Sequence, residues 1–353
     1  MTTDAPSELR SIPLGQTGLT VSEVGFGGIP LIRLEDGEAE RVVRSAFERG
    51  ITFFDTANAY KDSEGKIGRA LEDVRDRVVL ATKSFKRDWA SLSEDLENSL
   101  RQLRTERIDL FQLHQISREA EWEELTRPGG VIENLEKARN KGKIGHIGFS
   151  SHSLDMALRL VRSGAFATVQ FPFNFIEREP LDELHPAAKE AGMGILAMKP
   201  FAGGAIDNGS LAFAFLRQYP EAIPIPGFDS LASVEEIVSL YSRPNQMSEA
   251  EEERMEAYRR ELGRRFCRRC EYCQPCPNGV MVTMAMGYPF IASRMAPSTA
   301  VEFARKAMET VPLCEECGEC ENKCPYDLPI VQMIRENYEL FERHRAEVEQ
   351  GKT

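Results

Sequence analysis

The first 266 residues of this 353-residue chain contain no cysteine; all eight lie between Cys267 and Cys324. Long hydrophobic runs are missing too. No unbroken apolar stretch approaches the roughly 20 residues a membrane helix needs, so no membrane span is expected. There is no basic surplus: 44 Lys and Arg face 56 Asp and Glu, for a net charge of −12. That excludes nucleic acid as a partner, because phosphate binding needs a basic surface. The opening "MTTDAPSELRS" has no basic stretch followed by an apolar core, which predicts no signal peptide and a cytoplasmic protein. In that reducing compartment a disulfide framework is disfavoured. The glycine-rich dinucleotide turn GxGxxG is absent as well. The first strand pattern runs instead into "GFGGIP", which argues against an open doubly wound sheet.

What is present in the first two-thirds is alternation. Apolar runs at Val21–Gly27, Thr52–Thr56, Val78–Lys83, Ile108–His114, His146–Ser150, Thr168–Phe171, Gly194–Lys199 and Ala222–Gly227 read as strands buried on both faces. Amphipathic patterns separate them. "SLSEDLENSLRQLR" carries a capping box at Ser91 and Glu94, with Leu92, Leu96, Leu100 and Leu103 on one face. Eight such units predict a (β/α)8 TIM barrel over residues 1–243. A charged connecting helix is expected over 244–265. A small, mainly helical, cysteine-rich domain with a C-terminal helix follows over 266–353.

Catalytic groups of such barrels lie at the C-terminal ends of strands. Three predicted strands end in an ionisable residue: Asp55 in "FFDTANAY", Lys83 in "LATKS" and His114 in "FQLHQ". Tyr60 follows Asp55 on the same loop. Lys83 beside Asp55 would form an ion pair in a low-dielectric cavity, and its charge is expected to lower the pKa of the Tyr60 phenol. A phenol so tuned donates a proton to a carbonyl oxygen, which His114 can hydrogen-bond and orient. Each residue alone reads equally as a cap or a snorkelling side chain. Their joint appearance on consecutive strands is the signal.

"GITFFDTANAYKDSEGKIGRAL", "VVLATKS", "SLRQLRTERIDLFQLHQ", "ARNKGKIGHIGFSSHS" and "TVQFPFNF" resemble the aldo-keto reductases from about Arg10 to about Ser242. The resemblance implies hydride transfer between a nicotinamide and a small-molecule carbonyl or alcohol. It assigns Tyr60 as the general acid, Asp55 and Lys83 as its tuning pair and His114 as the polariser of the carbonyl. It places the nicotinamide against Ser150, Ser151 and Gln170, with Met198 where the family often stacks an aromatic ring. Asn174 is either part of that pocket or a loop cap. Near the eighth strand the nucleotide segment contains Gly227 and Ser230, and a helix N-terminus at Ser230 suits a diphosphate. No basic side chain accompanies them, and Asp229 would repel a 2′-phosphate, which weakens the case for NADP and leaves NAD, a weakly held nicotinamide or a different cofactor open. Lys199 is the remaining basic candidate. A flavin stays open as an alternative. Trp89 and Trp122 are expected in loops, as pocket linings or as packing.

The eight cysteines admit three readings. Disulfides conflict with the compartment, and zinc pairs two Cys-x-x-Cys knuckles. Iron–sulfur matches best: Cys314, Cys317, Cys320 and Cys324 followed by Pro325 reproduce the ferredoxin spacing C-x2-C-x2-C-x3-C-P. The earlier run, Cys267, Cys270, Cys273 and Cys276, is one residue short before its last cysteine. By analogy Cys267, Cys270, Cys273 and Cys324 would hold one 4Fe-4S cluster, and Cys276, Cys314, Cys317 and Cys320 a second. A single cluster with spare thiols is the alternative. The chain thus resembles the subset of aldo-keto reductases with a C-terminal ferredoxin-like domain. Hydride moves two electrons and a cluster moves one. Three roles are therefore open: a nicotinamide-dependent reductase with structural or sensing clusters, a flavin-linked or redox-partner-linked oxidoreductase, or a non-catalytic sensor.

Overall fold

The computed structural model describes residues 9–351 apart from 264 and 294; the leader-free reading of the N-terminus falls largely outside them. The chain divides into two compact units. One comprises residues 1–202 and 208–251, the other residues 203–207 and 252–353.

The first unit is a barrel. Its strands are β3 (Phe26–Gly27), β4 (Phe53–Asp55), β5 (Val79–Ser84), β6 (Ile108–Leu113), β7 (Ile144–Ser150), β8 (Thr168–Pro172), β9 (Gly194–Met198) and β10 (Ala222–Pro224). They pair in parallel in chain order from β3 to β10. A parallel bridge between Gly27 and Gly227 closes the ring, with Gly27 N donating to Pro226 O at 2.7 Å. Every residue of β5 and β6 is buried. Their side chains meet the barrel interior on one side and helices on the other, which is why these runs do not alternate.

The first expected strand divides in two. Val21 lies in β2 (Thr20–Ser22), which pairs antiparallel with β1 (Ser11–Pro13), and only Phe26–Gly27 joins the barrel. Leu14 and Val21 of this hairpin pack with Phe53, Val79 and Ala81 in one interior cluster. Because Phe53 and Val79 begin their strands, the hairpin plugs the N-terminal end and leaves the opposite mouth for chemistry. The outer layer includes α1 (Asp36–Glu48), α2 (Ser63–Leu71), α3 (Trp89–Gln102), α4 (Glu119–Thr126), α5 (Val131–Asn140), α6 (Leu154–Arg162), α7 (Leu184–Glu190), α8 (Gly209–Leu216) and α9 (Leu231–Tyr241). Helix α3 starts two residues before the expected cap: Asp88, not Ser91, is its N-cap, accepting Ser91 N at 2.9 Å. Trp122 sits inside α4, buried against Phe166, so it is packing.

The second unit is helical. It takes most of α10 (Glu249–Leu262), then α11 (Val282–Met286), α12 (Tyr288–Ala292), α13 (Pro297–Met308), the short α14 (Glu319–Asn322) and the long α15 (Ile330–Glu349). Its core gathers Val282, Met286, Tyr288, Met308, Ile334 and Phe341, with five of the cysteines packed against it and Cys320 inside it.

Candidate functional site

Four side chains converge at the C-terminal ends of consecutive strands. Asp55 ends β4, Lys83 lies near the end of β5, and His114 directly follows β6; Tyr60 stands on the loop between β4 and α2. Strand register lays Lys83 beside Gln112. The Lys83 ammonium donates to Asp55 Oδ2 and to Thr56 O, both at 2.6 Å. Asp55 also accepts Gln112 Nε2 at 3.0 Å and Gln170 Nε2 at 3.4 Å. Both members of the ion pair are buried, Asp55 at 3% and Lys83 at 2% exposure. The Lys83 ammonium lies 5.5 Å from the centre of the Tyr60 ring. Tyr60 in turn meets the His114 imidazole edge to face at 5.9 Å, and Phe85 stacks on that imidazole at 3.8 Å.

Burial governs the protonation of this group. It pushes the Lys83 ammonium down and the Asp55 carboxyl up, each partly offset by the other's charge. Tyr60 departs from expectation: burial first, then the Asp55 charge, push its phenol up rather than down. His114 is held well below its usual value of 6.5 by burial, then by the charges of Lys83 and Arg87, so the imidazole is neutral. At neutral pH the site therefore presents a protonated phenol and a neutral imidazole side by side.

The residues expected around a nicotinamide lie on several turns of the same barrel. Ser150 ends β7, and its Oγ accepts Gln115 N at 2.9 Å, leaving its own O–H to donate. Ser151 is fully buried and donates to Ile116 O at 2.7 Å. Gln170, in β8, gives its amide to Asp55 while its Oε1 has no protein partner. Met198 packs against the interior cluster, and Lys199 follows it in the left-handed region at φ 57°. Asn174 is a loop cap: it donates to Glu177 Oε2 and Lys199 O and accepts the backbone N–H groups of Ile176 and Glu177. Ser230 caps α9, accepting Ser233 N at 3.1 Å. Asp229 has a cationic neighbour from outside this segment: Arg33 stands 3.8 Å from it. Nearly 200 residues separate the two, and no sequence signal joins them.

In the second unit the thiols surround two cavities. Cys267, Cys270, Cys273 and Cys324 line one. Cys276, Cys314, Cys317 and Cys320 line the other. Burial pushes the Cys270 thiol up to about 11 and the Cys273 thiol up to about 12. Thr283 Oγ1 lies 3.7 Å from Cys273 Sγ. Among the described residues, no three His, Cys, Asp or Glu side chains gather closely enough to hold a single metal ion.

Residues 23–212 match the Aldo/keto reductase family, and residues 266–329 match the 4Fe-4S dicluster domain. The chain belongs to the aldo/keto reductase family. YrpG of Bacillus subtilis (strain 168), an uncharacterized oxidoreductase, is 32% identical over 233 residues, covering 56% of this chain and 68% of that protein. The aldo-keto reductase AKR11C1 from Bacillus halodurans, in its holo form, superposes with a TM-score of 0.61 at 23% identity, over 71% of this chain and 96% of that one. An aldo-keto reductase from Klebsiella pneumoniae in complex with NADPH gives a TM-score of 0.59 at 22% identity, over 71% and 95%. At these identities the two structures speak for the fold alone. This chain is thus an aldo/keto reductase-type oxidoreductase with a 4Fe-4S domain C-terminal to its barrel in sequence, and no described helix is long and apolar enough to cross a membrane.

Two members of this reductase site escaped the sequence reading. Gln112 supplies the second donor to Asp55, and Arg87 holds the turn at His114. Gln112 had a signal: a polar residue inside the buried run "IDLFQL", two before His114 and hence on the same side of the strand.

Proposed function

We propose that the barrel reduces a small carbonyl compound with NAD(P)H as hydride donor, or oxidises the corresponding alcohol with NAD(P)+ as hydride acceptor. We further propose that the second unit binds two 4Fe-4S clusters, one per cysteine-lined cavity. The observation carrying the first part is the convergence of Tyr60, Lys83, Asp55 and His114 at the barrel mouth. A nicotinamide, when bound, supplies hydride to the carbonyl carbon. Tyr60 donates the proton to the oxygen, and the phenolate left behind is stabilised by the Lys83 ammonium. The neutral His114 imidazole orients that oxygen by a hydrogen bond. Asp55 keeps Lys83 charged and in place.

The residues present suit these groups. Gln112 Oε1, Gln170 Oε1 and His114 Nδ1 are buried without a protein partner, and a donor-rich ligand such as a carboxamide would satisfy such atoms. The NADPH complex of the Klebsiella pneumoniae protein supports a nicotinamide on this fold. Arg33 beside Asp229 brings a cation to a segment that otherwise weakens the case for NADP, so both nucleotides are to be compared. Four thiols around each cavity match the four cysteine ligands that a 4Fe-4S cluster takes.

The cysteine cavities also favour a second reading, in which single electrons pass to the barrel through a flavin or a redox partner protein. Binding titrations of NADH, NADPH and FMN to anaerobically purified protein separate the two. Tight nicotinamide binding without flavin supports the reductase, and flavin binding alone overturns it. Iron analysis should find about eight irons per chain; about four would leave one cluster, and zinc would sink the cluster reading.

A further inference from the structure

The backbone that carries His114 is strained and clamped. Gln115, immediately after it, has φ 54°, in the left-handed region that a side chain with a Cβ seldom enters. Such strain persists only where the surroundings over-determine it, and it gathers at functional sites. One guanidinium does much of that work. Arg87 donates from Nη2 to His114 O at 2.7 Å and to Gln115 O at 3.0 Å. From Nη1 it donates to Phe85 O at 3.0 Å, the residue whose ring stacks on the His114 imidazole. Its Nε donates to Glu121 Oε1 at 3.1 Å. The other oxygen of Glu121 accepts the N–H groups of Ser117 at 3.0 Å and Arg118 at 3.1 Å, tying the clamp to the start of α4. The Arg87 and Glu121 side chains are only 15% and 16% exposed.

We propose that Arg87 is a positioning residue: its guanidinium, held by Glu121, fixes both the turn that aims His114 and the ring stacked upon it. Lysine cannot replace it, because one ammonium lacks the planar fork that reaches three carbonyls and a carboxylate together. Arg87 also acts through its charge. Burial first, and then the charges of Lys83 and Arg87, disfavour the imidazolium, so His114 is kept able to work as a neutral hydrogen-bonding group. The residues around the ring are Lys83 and Phe85 on β5 and the turn after it, Tyr60 on the loop after β4, and Arg87.

This rests on the reading of His114 as the carbonyl-orienting group, so the test is made without turnover. Imidazole nitrogen and carbon signals of the anaerobic full-length protein are followed by NMR over roughly pH 5 to 8, with His114→Asn identifying the resonance. His114 should stay neutral throughout in the wild type. In Arg87→Gln the ring should show two or more environments, and its pKa should move upward, since a nearby cation is gone. Arg87→Lys should keep the low pKa but still show the multiple environments. Unchanged His114 signals in a folded Arg87→Gln would overturn the proposal. If that variant does not fold, Glu121→Gln decides: a single unmoved His114 signal overturns it, and added ring environments support it. Should the signals move while Tyr60→Phe retains full carbonyl reduction, the clamp stands and the reductase reading fails.

Discussion

Tyr60 shows how burial can reverse an argument from charge alone. A neighbouring ammonium should favour phenolate, yet Lys83 is already neutralised by Asp55 at 2.6 Å. What reaches Tyr60 is lost hydration and the carboxylate's charge, and both favour the phenol. Reduction, which needs the protonated form, is therefore expected to be flat with pH through the neutral range and to fall only on the alkaline side. A pH–rate profile with its decline below pH 8 would contradict this. Tyr60→Phe should lower carbonyl reduction by about 10²–10⁴-fold while leaving nucleotide affinity unchanged, as steady-state rates and fluorescence titration would report. Lys83→Met leaves Asp55 charged, buried and unpaired, and should cost about 3–5 kcal/mol in urea unfolding. His185 offers a separate test. Burial holds its folded pKa at about 4, against an ordinary 6.5, with both ring nitrogens unpartnered. The folded state then binds fewer protons than the unfolded one between those values. Stability should fall as pH drops from 6.5 toward 4, by up to about 3 kcal/mol. His185→Phe should flatten that slope, and an unchanged slope would remove His185 as its cause.

At the scale of elements, the closure of the barrel depends on close backbone approach. A Cβ on Gly27 would stand 2.8 Å from Pro226 O and 2.9 Å from Ile225 O, across the seam between β3 and β10. Backbone cannot give way there without opening the ring. Gly27→Ala should cost about 1–3 kcal/mol in urea unfolding, whereas a wild-type midpoint would show that the seam yields. The elements were largely legible from pattern, because buried parallel strands and amphipathic helices leave distinct periods. Their edges were less so. Val21–Gly27 looked like one apolar strand, but the chain turns between Ser22 and Phe26, and its first part pairs antiparallel with β1. A run of buried residues does not report which neighbour supplies the burial. The cap of α3 moved from Ser91 to Asp88 for a related reason: both can accept a backbone N–H, and only the observed turn selects one.

At the scale of the molecule, two compact units with separate cores predict two thermal transitions. In the second unit cysteines pack against the hydrophobic core itself, so loss of bound iron is expected to loosen that core. Anaerobic removal of iron by a chelator should lower one calorimetric transition by many degrees and leave the other in place. Equal shifts in both, or in neither, would count against that coupling.

Much of the candidate site was legible in one dimension. Asp55, Lys83 and His114 lie at or beside strand ends, where the strand pattern and the barrel rule place candidates, and the spacing of Cys314, Cys317, Cys320 and Cys324 is a local property of one loop. Folding had to be seen for everything that joins distant segments under burial. The upward shift of Tyr60, the second donor from Gln112, Arg33 beside Asp229 and the clamp of Arg87 on His114 all belong to this class. Motifs travel with the chain, whereas desolvation and long-range hydrogen bonds exist only once distant residues share the same small volume.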